Sequence, residues 1–187
     1  LAPLIPKLPL PLSDIVAIDE IYVKIKGKWH CLFTAIDGKH GFVIIQHLSK
    51  HRDAKAALTI LQRVIEQYDG KKFTLVTYKA LIYEVAVHAA KVFLNANIDH
   101  HQIKGLFPYG IVDYSNEVYR PYKNIVERFF GTYKSYYKRH KSFSSFEGAI
   151  SHAILYQLYF NYLKPHDSFG GKPPLQITDS TGRIIEN

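Results

Sequence analysis

The chain has 187 residues, 47% hydrophobic and 21% charged, a composition that excludes a disordered polypeptide and leaves room for one sizeable core but not two. A lone cysteine, Cys31, excludes a disulfide framework and any cysteine-based zinc site and suits a reducing compartment, and no apolar run approaches the roughly 20 residues of a membrane span. The net charge of +8 (24 basic against 16 acidic residues) points to a polyanionic partner, and the lack of any methionine, initiator included, leads us to expect a fragment or an excised domain.

The opening LAPLIPKLPLPL has neither the basic region nor the unbroken apolar stretch of a secretory signal. Pro3, Pro6, Pro9 and Pro11 alternate there with Leu and Ile, which forbids a helix or a central strand, so residues 1–13 are expected to form an arm or linker. An upstream module would join at this arm. Ile15 to Ile25 is β-branched and aromatic and predicts a strand, its IVAI start apolar on both faces as in a central strand. Lys26-Gly27-Lys28 predicts a tight turn, Trp29 to Ile36 a second strand, Asp37-Gly38 a hairpin and Gly41 to Leu48 a third strand.

The period then changes. Ala54, Ala57, Leu58, Leu61, Val64 and Ile65 share one face of a helix predicted over Arg52 to Tyr68, stopped by Asp69-Gly70. Phe73 to Thr77 predicts a short strand, about Lys79 to Phe93 a helix, Asn95 to Ile103 another short strand, and Leu106 to Asn116 a loop. Two more helices are expected, Val118 to Arg139 and Ser144 to Leu163, the second capped by Ser144 or Ser145. The Pro-rich end, with Pro165, Pro173 and Pro174, is expected to be a surface tail over 165–187, which leaves 14–164 as the domain. The order β-β-β-α-β-α-β-α-α is that of an α/β domain, and three antiparallel strands followed by helix–strand units is the ribonuclease-H-like order.

Two acids stand out. Asp19 sits mid-strand between Ile18 and Glu20, a costly place for a carboxylate. Either it points to solvent, with Glu20 the buried member or a basic partner satisfying it, or it is a metal ligand at the centre of a sheet. Glu127 lies mid-helix, and helical spacing puts Lys123, Glu127, Gly131 and Lys134 along one face. Periodicity alone reads Lys123–Glu127 as an ordinary ion pair on a solvated face.

Four stretches, in order, carry a resemblance. Asp19-Glu20-Ile21-Tyr22-Val23-Lys24 with Gly27-Lys28-Trp29 and Ala35-Ile36-Asp37 is the first, and Arg52-Asp53-Ala54-Lys55-Ala56-Ala57 the second. Asn124 to Lys134 (NIVERFFGTYK) is the third, and Asn161-Tyr162-Leu163-Lys164-Pro165-His166 with the later Pro173 the fourth. Together they resemble the catalytic core of insertion-sequence transposases of the DDE and retroviral-integrase superfamily, from about Asp19 to Leu175. The resemblance implies a ribonuclease-H-like fold in which three carboxylates hold two divalent ions, Mg²⁺ or Mn²⁺, for in-line attack on a phosphodiester. Asp19 then matches the first catalytic and metal-binding carboxylate and Glu127 the third. The second is missing. Where the family has an Asp after the fourth strand, this sequence reads Leu75-Val76-Thr77-Tyr78-Lys79, and a neutral phenol at Tyr78 adds no charge to a metal site. Asp99 and Asp113 follow no comparable apolar strand and are poor substitutes.

DNA is the implied partner, as transposon ends and target. Lys134 is seven residues beyond Glu127, at a spacing where the family often has a basic residue; Lys123, Lys138 and Arg139 join it as candidate DNA-binding residues, and Lys141 as a generic one. His100 and His101 point opposite ways on a strand and are not expected to share a metal. His166 matches the family ending, without a role. The 14 tyrosines suit packing and surface better than base stacking. The expectation is a DDE transposase core of DNA cleavage and strand transfer with activity impaired or absent, acting as a homodimer or higher on DNA. It would work without a membrane, in the prokaryotic cytoplasm and nucleoid or in a nucleus if host-retained. A catalytically dead DNA-binding or dimerising module and a functionless remnant are the alternatives.

Overall fold

The computed structural model describes residues 10–103 and 114–176. The first nine residues of the expected arm, most of the loop expected before Asn116, Asp113 within it, and the end of the expected tail lie outside them. Five strands and four helices follow the expected order: β1 (Ile15–Ile25), β2 (Lys28–Asp37), β3 (Val43–Ser49), α1 (Ala54–Tyr68), β4 (Phe73–Tyr78), α2 (Leu81–Leu94), β5 (Ile98–Ile103), α3 (Arg120–Tyr137) and α4 (Phe146–Tyr162). They make one sheet in the order β3-β2-β1-β4-β5. The first three strands are an antiparallel meander, while β4 runs parallel to β1 and β5 parallel to β4.

Strand β1 is central, and its alternation sorts the two faces. Val16 and Ile18 pack with Ile60, Leu61 and Val64 of α1 and Val87 of α2. Ala17 and Ile21 pack with Val126, Phe129 and Tyr133 of α3 and with Tyr156 of α4. Thus α1 and α2 cover one face, α3 and α4 the other. Cys31 is buried on the α1/α2 side, where the apolar surroundings push its thiol up to about 12.

Local chemistry explains the joints. Lys26 and Gly27, both at positive φ (47° and 77°), make the two-residue turn between β1 and β2 that right-twisted strands favour. Asp53 caps α1, its side chain accepting from the Ala56 N–H at 2.8 Å, and Asp69 ends it in the left-handed region. After β2 the chain turns where only glycine fits: a Cβ on Gly38 would lie 2.8 Å from Ile15 Cγ2 and 3.0 Å from Tyr122 Cδ1. Asp37 anchors that turn from a fully buried position, accepting the N–H groups of Ser13, Lys39 and His40. Ser145 is the cap of α4, with Oγ accepting from Gly148 N–H at 2.9 Å.

Several element ends differ by a few residues from the sequence reading. The third helix is regular only from Arg120 to Tyr137, with 3₁₀ turns before it (Tyr114–Tyr119) and after it (Lys138–His140). Pro121 in its first turn explains the late start, since a proline ring suits a helix only where the N–H is not needed. Packed polypeptide also extends past 164: Leu175 is buried among the α1/α2-side residues, and its N–H donates to the Asn161 carbonyl at 2.9 Å. Leu10 and Leu12 rest against the same cluster from the other end.

Candidate active site

The β1–β4 ladder pairs Ile18 with Thr77, so the next residues along these parallel strands, Asp19 and Tyr78, stand side by side at the C-terminal end of β4. Alternation sends both to the α3 face, since Ala17, Ile21 and Val76 lie in the cluster beneath α3. Across from them α3 presents Lys123 and, one turn on, Glu127. The Lys123 ammonium is ion-paired to Glu127 Oε1 and lies 5.2 Å from the centroid of the Tyr78 ring. Periodicity placed this pair on a solvated face. In the structure only its acid end is solvated: Lys123 is 8% exposed, and the Glu127 side chain 51%. Lys123 begins the buried stripe of α3 that continues through Val126, Phe130, Tyr133 and Tyr137.

Asp19 is half-buried, with Oδ1 accepting the Glu20 N–H at 3.0 Å. Burial, then the neighbouring charge of Glu20, push its carboxyl up to about 6; the Glu20 N–H and the Lys123 ammonium pull the other way, and Glu127 adds a further upward push. Asp19, Tyr78, Lys123 and Glu127 thus share one electrostatic neighbourhood. Glu20 goes to the opposite face, where Arg52 Nε donates to Oε1 at 2.5 Å and the buried Tyr83 hydroxyl donates to Oε2. Here the basic partner weighed from sequence exists, and it belongs to Glu20. Asp99 lies away from this group: it pairs with Thr74, whereas Tyr78 pairs with Ile103, four residues or roughly 13 Å along the strands.

Residues 13–152 match the family model of the DDE domain of IS240-type transposases. The chain belongs to the DDE transposase family. The transposase of the insertion-sequence-like element IS431mec from Staphylococcus aureus is 36% identical over a stretch that covers 46% of this chain and 45% of that protein. The transposase of IS257 in transposon Tn4003, also from Staphylococcus aureus, matches to the same extent. This DDE chain therefore spans less than half the length of the curated relatives it matches. In fold it is similar to retroviral integrase catalytic cores. The HTLV-2 core solved with magnesium superposes with a TM-score of 0.59 at 16% identity, covering 88% of this chain and 95% of that one. For the BIV integrase core the values are 0.56, 14%, 87% and 91%. The mixed five-stranded sheet with helices on both faces is the ribonuclease-H-like fold expected from the order of elements.

The DDE family implies divalent metal, and the donors gathered here do not fit a two-metal centre. Two carboxylates, a phenol and an ammonium face one another where three carboxylates are required. Among the described residues no group of three or more His, Cys, Asp or Glu side chains is placed to hold a metal ion.

The basic candidates of the DDE domain divide. Lys123 is buried and engaged, whereas Lys134, Lys138, Arg139 and Lys141 are exposed. Lys134 continues the Glu127 side of α3 two turns on, and the Arg139 guanidinium sits 5.6 Å over the Tyr136 ring. Arg128 carried no assignment from sequence. It is exposed on α3 beside Glu127 and lines a cleft of about 660 Å³ with Lys39, Lys164 and His166. The missed signal was the run of polar or small residues at 124, 127, 128, 131, 134, 135 and 138, all exposed in the structure, which makes Arg128 part of one solvent face.

His100, His101 and His166 make packing and hydrogen-bond contacts within the fold. His100 contacts Thr77 Oγ1 at 2.9 Å on one face of the sheet, while His101 stacks on Tyr119 and meets Asn116 on the other. Burial pushes His100 down to about 4. His166 gains a role: its ring packs on Phe160 and its backbone pairs with Lys172, which folds the chain beyond α4 back on itself. Among the described residues no helix is long and apolar enough to cross a membrane.

Proposed function

We propose that this chain is the core of a DDE-type polynucleotidyl transferase that retains the DNA-facing architecture for strand cleavage and transfer but has lost most or all of the chemistry. The carrying observation is Tyr78 in register beside Asp19 and facing Glu127 through Lys123. A phenol in that position supplies no charge to balance a pair of divalent ions, so Mg²⁺ or Mn²⁺ is not expected to bind as in an intact triad. What the residues of this chain can still do is hold DNA. Arg128, Lys134, Lys138 and Arg139 form a basic solvent face on α3 and the turn after it, with Glu127 beside them.

The second reading, a retained DNA-binding or dimerising module, draws on α2. Leu81, Val85 and Val92 are exposed at four- and seven-residue spacing along it. Two copies of α2 set antiparallel would bury this stripe, with Glu84 of each across from Lys91 of the other. Structural neighbours include an integrase core in a trimeric form and an integrase within an intasome, which supports multimers on DNA as the working state.

The test is Tyr78→Asp, assayed beside the parent for Mn²⁺- or Mg²⁺-dependent nicking and strand transfer on duplexes carrying the element's ends. Activity gained by the variant supports the reading. Robust activity in the parent chain sinks the loss of chemistry, and an inert but folded variant with the upstream DNA-binding module supplied sinks the metal-site assignment.

A further inference from the structure

Lys123 is the residue in the site that the family mechanism leaves without a task, and it is the most buried of the four. Three observations bear on it. Its side chain is only 10% exposed, on the buried stripe of α3, which is a costly position for an ammonium unless anions surround it. Its head group is paired to Glu127 and lies over the ring of Tyr78, the residue in register beside Asp19. That ring, its centroid 5.2 Å away, is a π face that attracts a cation where a carboxylate would otherwise stand.

We infer that the Lys123 ammonium takes the place of the divalent ion in this site: it is a tethered counter-cation that holds Glu127 of α3 over Tyr78, beside Asp19 of β1, and keeps a free metal ion out. This rests on the reading of Asp19, Tyr78 and Glu127 as the three positions of a DDE site. The charge count makes the two arrangements exclusive. Three carboxylates carry −3 and need added cations; two carboxylates with one internal ammonium carry −1, and an entering divalent ion would meet a fixed positive charge between its own ligands. Tyr78 and Lys123 therefore act as a matched pair. The phenol removes one anion and offers its face to a cation, and the lysine supplies that cation from within the chain. A lysine on a solvated helix face would have done neither, since exposed pairs of this spacing contribute a few tenths of a kcal/mol and leave ligands free to exchange.

The experiment compares four proteins, the parent, Lys123→Met, Tyr78→Asp and the double variant, by isothermal titration with MnCl₂ and by thermal melting with and without it. Met keeps the aliphatic packing of the lysine stem, and Lys123→Gln replaces it if the Met variant fails to fold by circular dichroism. The parent is expected to show no Mn²⁺ binding and an unchanged melting temperature. Lys123→Met should melt lower than the parent in metal-free buffer at neutral pH. The double variant should bind Mn²⁺ at least about tenfold more tightly than Tyr78→Asp alone, with a rise in melting temperature on adding the ion. Equal Mn²⁺ affinity in Tyr78→Asp and the double variant would overturn the role of Lys123 while leaving the metal-site reading intact. An unchanged melting temperature in Lys123→Met would overturn the tether. A folded double variant that binds no Mn²⁺ would remove the metal-site reading, and this inference with it.

Discussion

Asp19 and Glu20 are neighbours in sequence and opposites in environment. Glu20 faces α1 and α2, where a guanidinium and a phenol occupy both of its oxygens and leave its side chain 7% exposed. Asp19 faces α3 and receives one N–H from its own neighbour, while the nearby Lys123 ammonium is paired to Glu127. One side of β1 thus holds a closed carboxylate, the other an under-compensated one. Compensation of the first kind serves the fold; lack of it, in a place open to solvent through Glu127, is what a reactive centre needs and what a stable fold resists.

The largest test of this contrast is Glu20→Ala, which strands Arg52 and the Tyr83 hydroxyl and should cost about 2–4 kcal/mol in urea unfolding. Asp19→Asn should have the opposite sign. An acid whose pKa is raised by folding opposes folding while ionised, so the cost is full above pH 6 and is relieved as the pH falls through 6 toward the ordinary 3.8. The variant should gain about 1–3 kcal/mol at neutral pH and little in acid, read from denaturation at several pH values. A destabilised Asp19→Asn would mean that Asp19 is as well compensated as Glu20.

Acidification sharpens the same comparison. His100, on the Glu20 face, has its pKa lowered by folding, so its contribution is intact above 6.5 and is lost as the pH falls toward 4. In the parent the relief at Asp19 offsets part of that loss. The melting temperature of Asp19→Asn should therefore fall more steeply than the parent's between neutral pH and about pH 5. Smaller in energy is the effect of Lys134→Ala on DNA binding, where loss of one phosphate contact should lower the slope of log affinity against log salt by about one. Smallest is Tyr78→Phe, which keeps the ring under Lys123 and should change stability by less than about 0.5 kcal/mol.

The order of the elements and the mixed α/β fold were legible in the sequence because they rest on local signals: alternation in β1, turn residues at Lys26-Gly27 and Asp37-Gly38, and helical periodicity after Arg52. The partners of Glu20 were not. Arg52 and Tyr83 lie 32 and 63 residues away, and no local spacing announces them. Lys123 was placed on the right helix but on the wrong side of its waterline, because position 123 falls at the border between the buried and solvent stripes and only the approach of Tyr78 decides which it joins. The packing of Leu175 was likewise hidden, since one apolar residue among prolines has no period to read.

Cys31 is buried in the apolar layer beneath α1 and α2. It is the chain's only cysteine, lies within β2, and is held as a protonated thiol far from reactivity at neutral pH. Burial keeps this thiol from serving as a ready site for maleimide labelling or disulfide cross-linking. A cysteine substituted for His88, midway along the exposed stripe of α2, would be the chain's lone ready labelling site, and oxidative cross-linking between copies would report directly whether two α2 helices meet antiparallel.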